Sequence, residues 1–415
     1  MTRTPERAGL QPADVRPTSL RDSWLRRLGP WVGIGTSPAA MMMGGGVGGG
    51  LRGGELMAAL VTGVALLAGL AAGQGILGQR TGRTLASLTA GPLGRDGSRR
   101  TASVVMLAMM VGWFGVNVGV AGVALARLLG IPDVAGVVAF AVVMLAVVGL
   151  GLGVLSWSAL VAGLATTGLA IYGLELAFDA RDATLSGGLA GSEPIGFLPA
   201  VALVIGYGAA FSLRTPDFTH DLARTRQVVW CALVGLAIPT LAFGLAGAAL
   251  YAATGTWDLS DVLRDLGSPT IAYLFVAVGF TGSVLTNIWS GALSLADVAP
   301  RVSHRAALLA VAAAGTCLAA AGFDELMLSW LTIMALAAPG LVAICAIHVA
   351  RGGEPRPGWG TIGLASWGAG FACGLALQLA GSSLALPAAA VVPAITYWLL
   401  GPPWERKLAD ARVGG

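Results

Sequence analysis

Apolar runs of about twenty residues, following one another with only short polar breaks, constrain this 415-residue chain more than any other feature. A helix of roughly 20 apolar residues crosses the hydrocarbon of a bilayer, where nothing but the segment itself can satisfy its backbone. Charged residues make up only 11% of the sequence and hydrophobic ones 56%; a soluble domain carries roughly 25% charged residues. The runs do not alternate in polarity as the roughly 10-residue strands of a membrane barrel do. An all-α polytopic membrane protein of about twelve transmembrane helices is expected. The spans fall near 31–51, 55–78, 101–129, 133–154, 156–178, 193–213, 227–253, 270–298, 305–322, 326–350, 360–380 and 385–401.

The positive charges then set the orientation. Numbering the ends alternately from the inside places 21 of the 25 Lys and Arg residues in cytoplasmic segments. Only Arg52, Arg127, Arg181 and Arg264 fall outside, among acidic residues such as Asp179, Asp182, Glu193, Asp258, Asp261, Asp265, Asp324 and Glu325. This bias predicts a protein of the cytoplasmic (inner) membrane with both termini in the cytoplasm. It also accounts for the pI near 9.1 without a nucleic-acid partner. Residues 1–28 read as a solvated cytoplasmic tail with no cleavable signal peptide. Residues 29–350 read as a core of ten spans, and 351–415 as two accessory spans with a cytoplasmic C-terminus.

Most of the 62 glycines read as helix-packing residues, because small side chains let helix backbones approach in a membrane. The four cysteines (Cys231, Cys317, Cys345, Cys373) have no C-x-x-C spacing and read as small apolar residues. Two spans look interrupted. Span 1 carries Pro38 and then six glycines between Gly44 and Gly50, and span 6 carries Gly206 and Gly208 around Tyr207. Such residues weaken the helical ladder, and unwound backbone at membrane depth belongs beside a cavity or inside protein. Breaks five spans apart fit two five-span inverted repeats with a binding site between them. The plainer alternative is that these glycines only pack helices.

Five segments resemble one family. These are GQRTGRT (78–84), GWFGVNVGVAG (112–122), TPDFTHDLARTR (215–226), TNIWSGALSLAD (286–297) and SWLTIMALAAPG (329–340). In this order they resemble the loop after span 2, the span-3 signature, the loop after span 6, span 8 and the start of span 10 of the nucleobase–cation symporters, in particular the cytosine permease-like branch. The resemblance implies a LeuT-like fold of ten helices in an inverted repeat, with two accessory helices. It implies a cation-coupled symporter for a small planar heterocycle such as cytosine, a purine, uracil, a hydantoin, allantoin or a thiamine-pyrimidine precursor, driven by sodium or protons.

Residue by residue, the resemblance implies that Trp113 stacks on the ligand ring, where an indole face suits a planar heterocycle. The other reading of Trp113 is packing. Asn117, one turn later on the same face, offers a donor and an acceptor to an imide or amidine edge, or else bonds a neighbouring helix. Ser37, Tyr207, Gly208, Asn287 and Ser290 complete the expected substrate site, with Asn287 and Ser290 equally suited to capping irregular backbone. Met110 stands where cytosine permeases carry a glutamine, which puts cytosine itself in doubt. The expected cation site consists of the carbonyls of Gly33, Thr36 and Gly282 and the hydroxyl of Thr286, since hard cations take oxygen ligands. Leu285 replaces a second hydroxyl, with Ser37 or Ser283 able to compensate. Proton coupling has three titratable candidates, Asp297, Glu175 and His348, all near interfaces. Trp289 replaces a family tyrosine and reads as packing.

No G-x-x-x-x-G-K-[ST] loop and no cluster of His or nucleophile–base residues lies in the spans, so neither ATP hydrolysis nor an intramembrane enzyme is expected. No cofactor is expected beyond the coupling ion, and the partners are a small heterocyclic solute and membrane lipid. An uncoupled channel or non-transporting receptor is the alternative from another class.

Overall fold

The computed structural model describes residues 24–179, 195–256 and 258–401. The tail up to residue 23, the stretch beyond 401, and Arg181, Asp182 and Glu193 lie outside the described residues. No strand occurs among those described, and every apolar run lies on helix. The order is α1 (Leu28–Gly35), α2 (Pro38–Gly50), α3 (Gly53–Thr81), α4 (Gly94–Leu129), α5 (Asp133–Gly149), α6 (Leu152–Asp179) and α7 (Phe197–Thr219). It continues with α8 (Thr225–Thr254), α9 (Pro269–Gly279), α10 (Thr281–Val298), α11 (His304–Ala320), α12 (Met327–Ala350), α13 (Thr361–Leu379) and α14 (Ala385–Leu400).

By length and hydropathy eight of these stretches suffice to cross a bilayer, with α9 and α10 acting together as Pro269–Val298. The helices α5, α11 and α14 are apolar but shorter, and the first run is divided between α1 and α2. That division has a local cause. A residue before proline is pushed out of the helical region, and Ser37 is extended, with φ −65° and ψ 140°. Pro38 then opens α2, where its missing N–H costs nothing.

The glycine run that follows is not a break. Gly44–Gly50 is helical, although each glycine in a helix costs roughly 1 kcal/mol relative to alanine. Close approach to α8 offsets that cost. A Cβ on Gly44 would lie 1.9 Å from the Gly244 carbonyl oxygen, and one on Gly247 would lie 2.1 Å from that of Met41.

The interruption expected in span 6 is likewise absent, because α7 runs unbroken from Phe197 to Thr219. Its glycines admit neighbours instead. A Cβ on Gly206 would lie 1.9 Å from the Leu331 carbonyl oxygen, and one on Gly208 would lie 2.7 Å from the Leu67 side chain. The second irregularity sits in span 8, where regular helix lapses for the single residue Phe280, between Gly279 and Gly282.

Burial places α7 at the centre, with 83% of its apolar window inside the protein, and α13 at the periphery, with 28%. The helix α7 packs against α3, α12 and α2, while α10 packs against α4, α11, α6 and α1. The two helices face each other across a gap, and the candidate site occupies it.

Candidate functional site

A cavity of about 20 Å³ is enclosed by the α1–α2 break (Ile34, Ser37, Ala39), α4 (Met110, Trp113, Asn117), α7 (Tyr207, Ala210, Phe211) and α10 (Ser283, Asn287). That space holds about one or two waters and is too narrow for a heterocycle. Trp113 and Tyr207 form its aromatic wall, edge to face with ring centroids 6.1 Å apart and planes at 89°. Tyr207 donates its hydroxyl hydrogen to the Ile34 carbonyl, which fixes the ring against the end of α1. Phe211, one turn after Tyr207, packs edge to face on Trp31 at 5.1 Å.

Polar groups converge beside that wall. Asn117 Nδ2 donates to Ser283 Oγ at 3.1 Å, Ser283 donates to the Phe280 carbonyl at 3.0 Å, and the Ser37 and Ser283 hydroxyls stand 3.5 Å apart. This chain joins the break after α1, the lapse before α10 and the middle of α4. Asn117 is 1% exposed, yet its Oδ1 has no hydrogen-bond partner among the described residues. A buried carbonyl oxygen left unpaired is costly, and this one belongs to a side chain lining the cavity.

Beside the cavity, the break alters the backbone ladder. The Ser37 N–H turns to the Ile34 carbonyl at 3.1 Å, and the Ala40 N–H to the Ser37 carbonyl at 2.8 Å. The bonds that Gly33 and Thr36 would accept in a continuous helix are thereby replaced. Gly33 rests on Gly282, where a Cβ would meet the facing Cα at 2.8 Å. Thr286 donates to the Gly282 carbonyl at 2.9 Å, and Thr36 donates to the Val32 carbonyl at 2.8 Å. Leu285 is fully buried and offers no oxygen.

Seven residues expected at the substrate site therefore separate into two groups. Trp113, Asn117, Ser37, Tyr207 and Asn287 line the cavity. Gly208 faces Leu67 on α3 instead, because in an unbroken helix it points away from the wall that Tyr207 builds. Ser290 lies one turn further along α10, with its carbonyl accepting from Arg214. Of the proton candidates, Glu175 is exposed and His348 is held by the Tyr397 hydroxyl at 2.8 Å and the Glu354 carbonyl at 3.2 Å. Asp297 is half-buried, and its backbone carbonyl accepts from Arg99 Nε at 2.9 Å. Trp289 packs edge to face on His304 at 5.0 Å. The sequence reading passed over Phe211 and Ile34, although Phe211 follows Tyr207 at the four-residue helical spacing.

A larger vestibule of about 490 Å³ opens above Phe280 and Pro38. Its walls include Met41, Met42, Val123, Phe275 and Met327, and its rim carries Arg127, Asp258, Asp261 and Arg264. Asp258 caps the short helix Leu259–Asp265 by accepting from the Ser260 N–H. Burial and the neighbouring Asp258 hold the Asp261 carboxyl above the usual carboxylate range, against the ion pair with Arg264. Phe280 is fully buried at the vestibule wall, and its carbonyl accepts from the cavity-lining Ser283.

The sequence model for permeases of cytosine/purines, uracil, thiamine and allantoin matches residues 21–354. The chain belongs to this permease family. Over 331 residues the permease is 26% identical to the cytosine permeases of Escherichia coli O157:H7 and K12, covering 78% of this chain and 77% of each relative. Among solved structures it is similar to Mhp1, a nucleobase-cation-symport-1 family transporter, in a closed conformation with bromovinylhydantoin bound. The TM-score is 0.80 at 18% identity, covering 97% of this chain and 96% of that one. A Na+-coupled sialic acid symporter matches with a TM-score of 0.66 at 14% identity over 91% and 89%. The permease is thus a multi-pass membrane protein with the LeuT-like fold expected from its sequence.

Proposed function

We propose that the permease imports a small, planar, nucleobase-like heterocycle by cation-coupled symport across the cytoplasmic membrane, with both termini inside. The carrying observation is that the Trp113–Tyr207 wall and the unpartnered Asn117 Oδ1 line one cavity. A flat apolar ring meets an indole face, while its polar edge meets an amide and two hydroxyls. The cavity must widen for such a ring, and the vestibule on the acidic side is the entry that fits. Met110 lines the wall where an amide would read cytosine's edge, which widens the substrate class to purines, hydantoins, allantoin and thiamine-pyrimidine precursors. Family membership and the Escherichia coli cytosine permeases support the nucleobase reading.

Sodium coupling is part of this proposal. The carbonyls of Gly33, Thr36 and Gly282 and the Thr286 hydroxyl supply the oxygen ligands a hard cation takes, and the replaced ladder bonds at the break support the first two. A cation there would meet the partial negative charge at the C-terminal ends of α1 and α9. A thermal-shift screen of purified protein against these heterocycles, with and without sodium, tests the proposal, because a ligand of the native state raises its apparent stability. Stabilisation by none of them in either condition would overturn it.

A further inference from the structure

One turn from the cavity, on the side that the arginines mark as cytoplasmic, a guanidinium is buried inside the bundle. Arg214 follows the cavity-lining Ala210 by four residues on α7 and is 2% exposed. Its Nη1 donates to Asp217 at 2.7 Å. Its Nη2 crosses the gap to α10, donating to the Ser290 carbonyl at 3.0 Å and to the Ser294 hydroxyl. The other Asp217 oxygen accepts from the Leu85 N–H at 3.0 Å, which ties the loop after α3 to the same point. Neither helix is among the main packing neighbours of the other, and Arg214 bridges the gap between them one turn from the cavity.

An arginine in a membrane span is costly and marks function more often than packing. The ion pair with Asp217 is local to α7 and needs no contact with α10. The closed arrangement also leaves Arg214 Nε and Ser290 Oγ buried with no hydrogen-bond partner among the described residues. Water entering the gap would satisfy both and rehydrate the charges, and this hydration offsets the loss of the bonds to Ser290 and Ser294. Opening the contact thus trades the bonds to Ser290 and Ser294 for hydration of Arg214 Nε and Ser290 Oγ.

We infer that Arg214 is the cytoplasmic gate of the transport path, a positioning residue that holds α10 against α7 while the cavity is closed and releases it for exit. This assignment rests on reading the permease as an alternating-access transporter. Accessibility of a cavity residue tests it without any solute. A Met110→Cys reporter is placed in a background lacking the four native cysteines and labelled with a membrane-impermeant thiol reagent in inside-out vesicles and in intact cells. Arg214→Gln should raise labelling from the cytoplasmic face by roughly tenfold, a shift of the order seen for coupled conformational equilibria, and lower it from the outer face. Ser294→Ala should move both rates in the same direction by less. Unchanged labelling from both faces in a monodisperse Arg214→Gln protein overturns the gate. If Arg214→Gln does not fold, Ser294→Ala decides in the same way. Failure of the heterocycle reading would appear separately, as absence of ligand binding in wild type with the labelling pattern intact.

Discussion

Gly33 at the end of α1 and Gly282 at the start of α10 meet backbone to backbone: a Cβ on Gly282 would lie 2.5 Å from the Gly33 Cα. No side chain can yield there, so Gly282→Ala must push the two helices apart. Overpacking of this kind costs typically 1–3 kcal/mol, and the expected cation site would widen with it. Gly282→Ala should lower the melting temperature in detergent and weaken any sodium dependence. Gly368→Ala on α13, where a Cβ meets nothing within 4 Å, serves as the control. Equal melting temperatures for the two variants would refute the close contact.

Trp113 faces the cavity and meets Tyr207 edge to face. Trp113→Ala should remove stacking worth on the order of 1 kcal/mol beyond area burial, with the shape of the wall lost as well. Affinity for the stabilising heterocycle should fall by at least about fivefold, and Trp113→Phe should fall less. Isothermal titration on folded protein checks this, and an unchanged affinity in Trp113→Ala would take the residue out of the site.

The membrane class, the helix positions and the family were legible because each rests on signals spread over many residues: apolar run length and five motifs in order. Trp113 and Asn117 were named from the resemblance of the span-3 motif, and their four-residue spacing, which gives the two side chains one face, agrees with their shared place on the cavity wall. The span-6 break was misread because glycine gives two opposite signals. It weakens a helix, but it also admits a neighbour, and only the position of Leu331 over Gly206 decides between them. Arg214 was counted only as an inside charge, since nothing in the sequence says that α10 stands opposite. A test follows from the corrected reading. Gly206→Ala, meeting a backbone carbonyl, should destabilise the protein strongly. Gly208→Ala, meeting the mobile end of Leu67, should cost less. Equal and small losses in thermal stability would restore the view that these glycines serve flexibility.

The split of positive charge, 21 residues against four, predicts that both termini face the cytoplasm. A cysteine tag at residue 10 or 410 should react with an impermeant reagent only after the cells are opened. Labelling of either tag from the periplasmic side of intact cells would contradict the topology and the assignment of the vestibule as entry.

Thr286 gives the sharpest test of the coupling ion. It is the one hydroxyl side chain in the expected cation set, it lies 2.9 Å from the Gly282 carbonyl, and the neighbouring Leu285 is fully buried and ligates nothing. Thr286→Val keeps the β-branched shape, so the contact of α10 with α1 should survive. It deletes an oxygen that a small hard cation needs. Sodium dependence of uptake should therefore weaken far more than heterocycle binding measured in saturating sodium. That split separates a cation ligand from a residue that only packs, because loss of packing would lower both together. Two results speak against the assignment. Wild-type uptake indifferent to sodium would point to protons or to uncoupled passage, and an unaltered sodium dependence in Thr286→Val would move the cation to other oxygens.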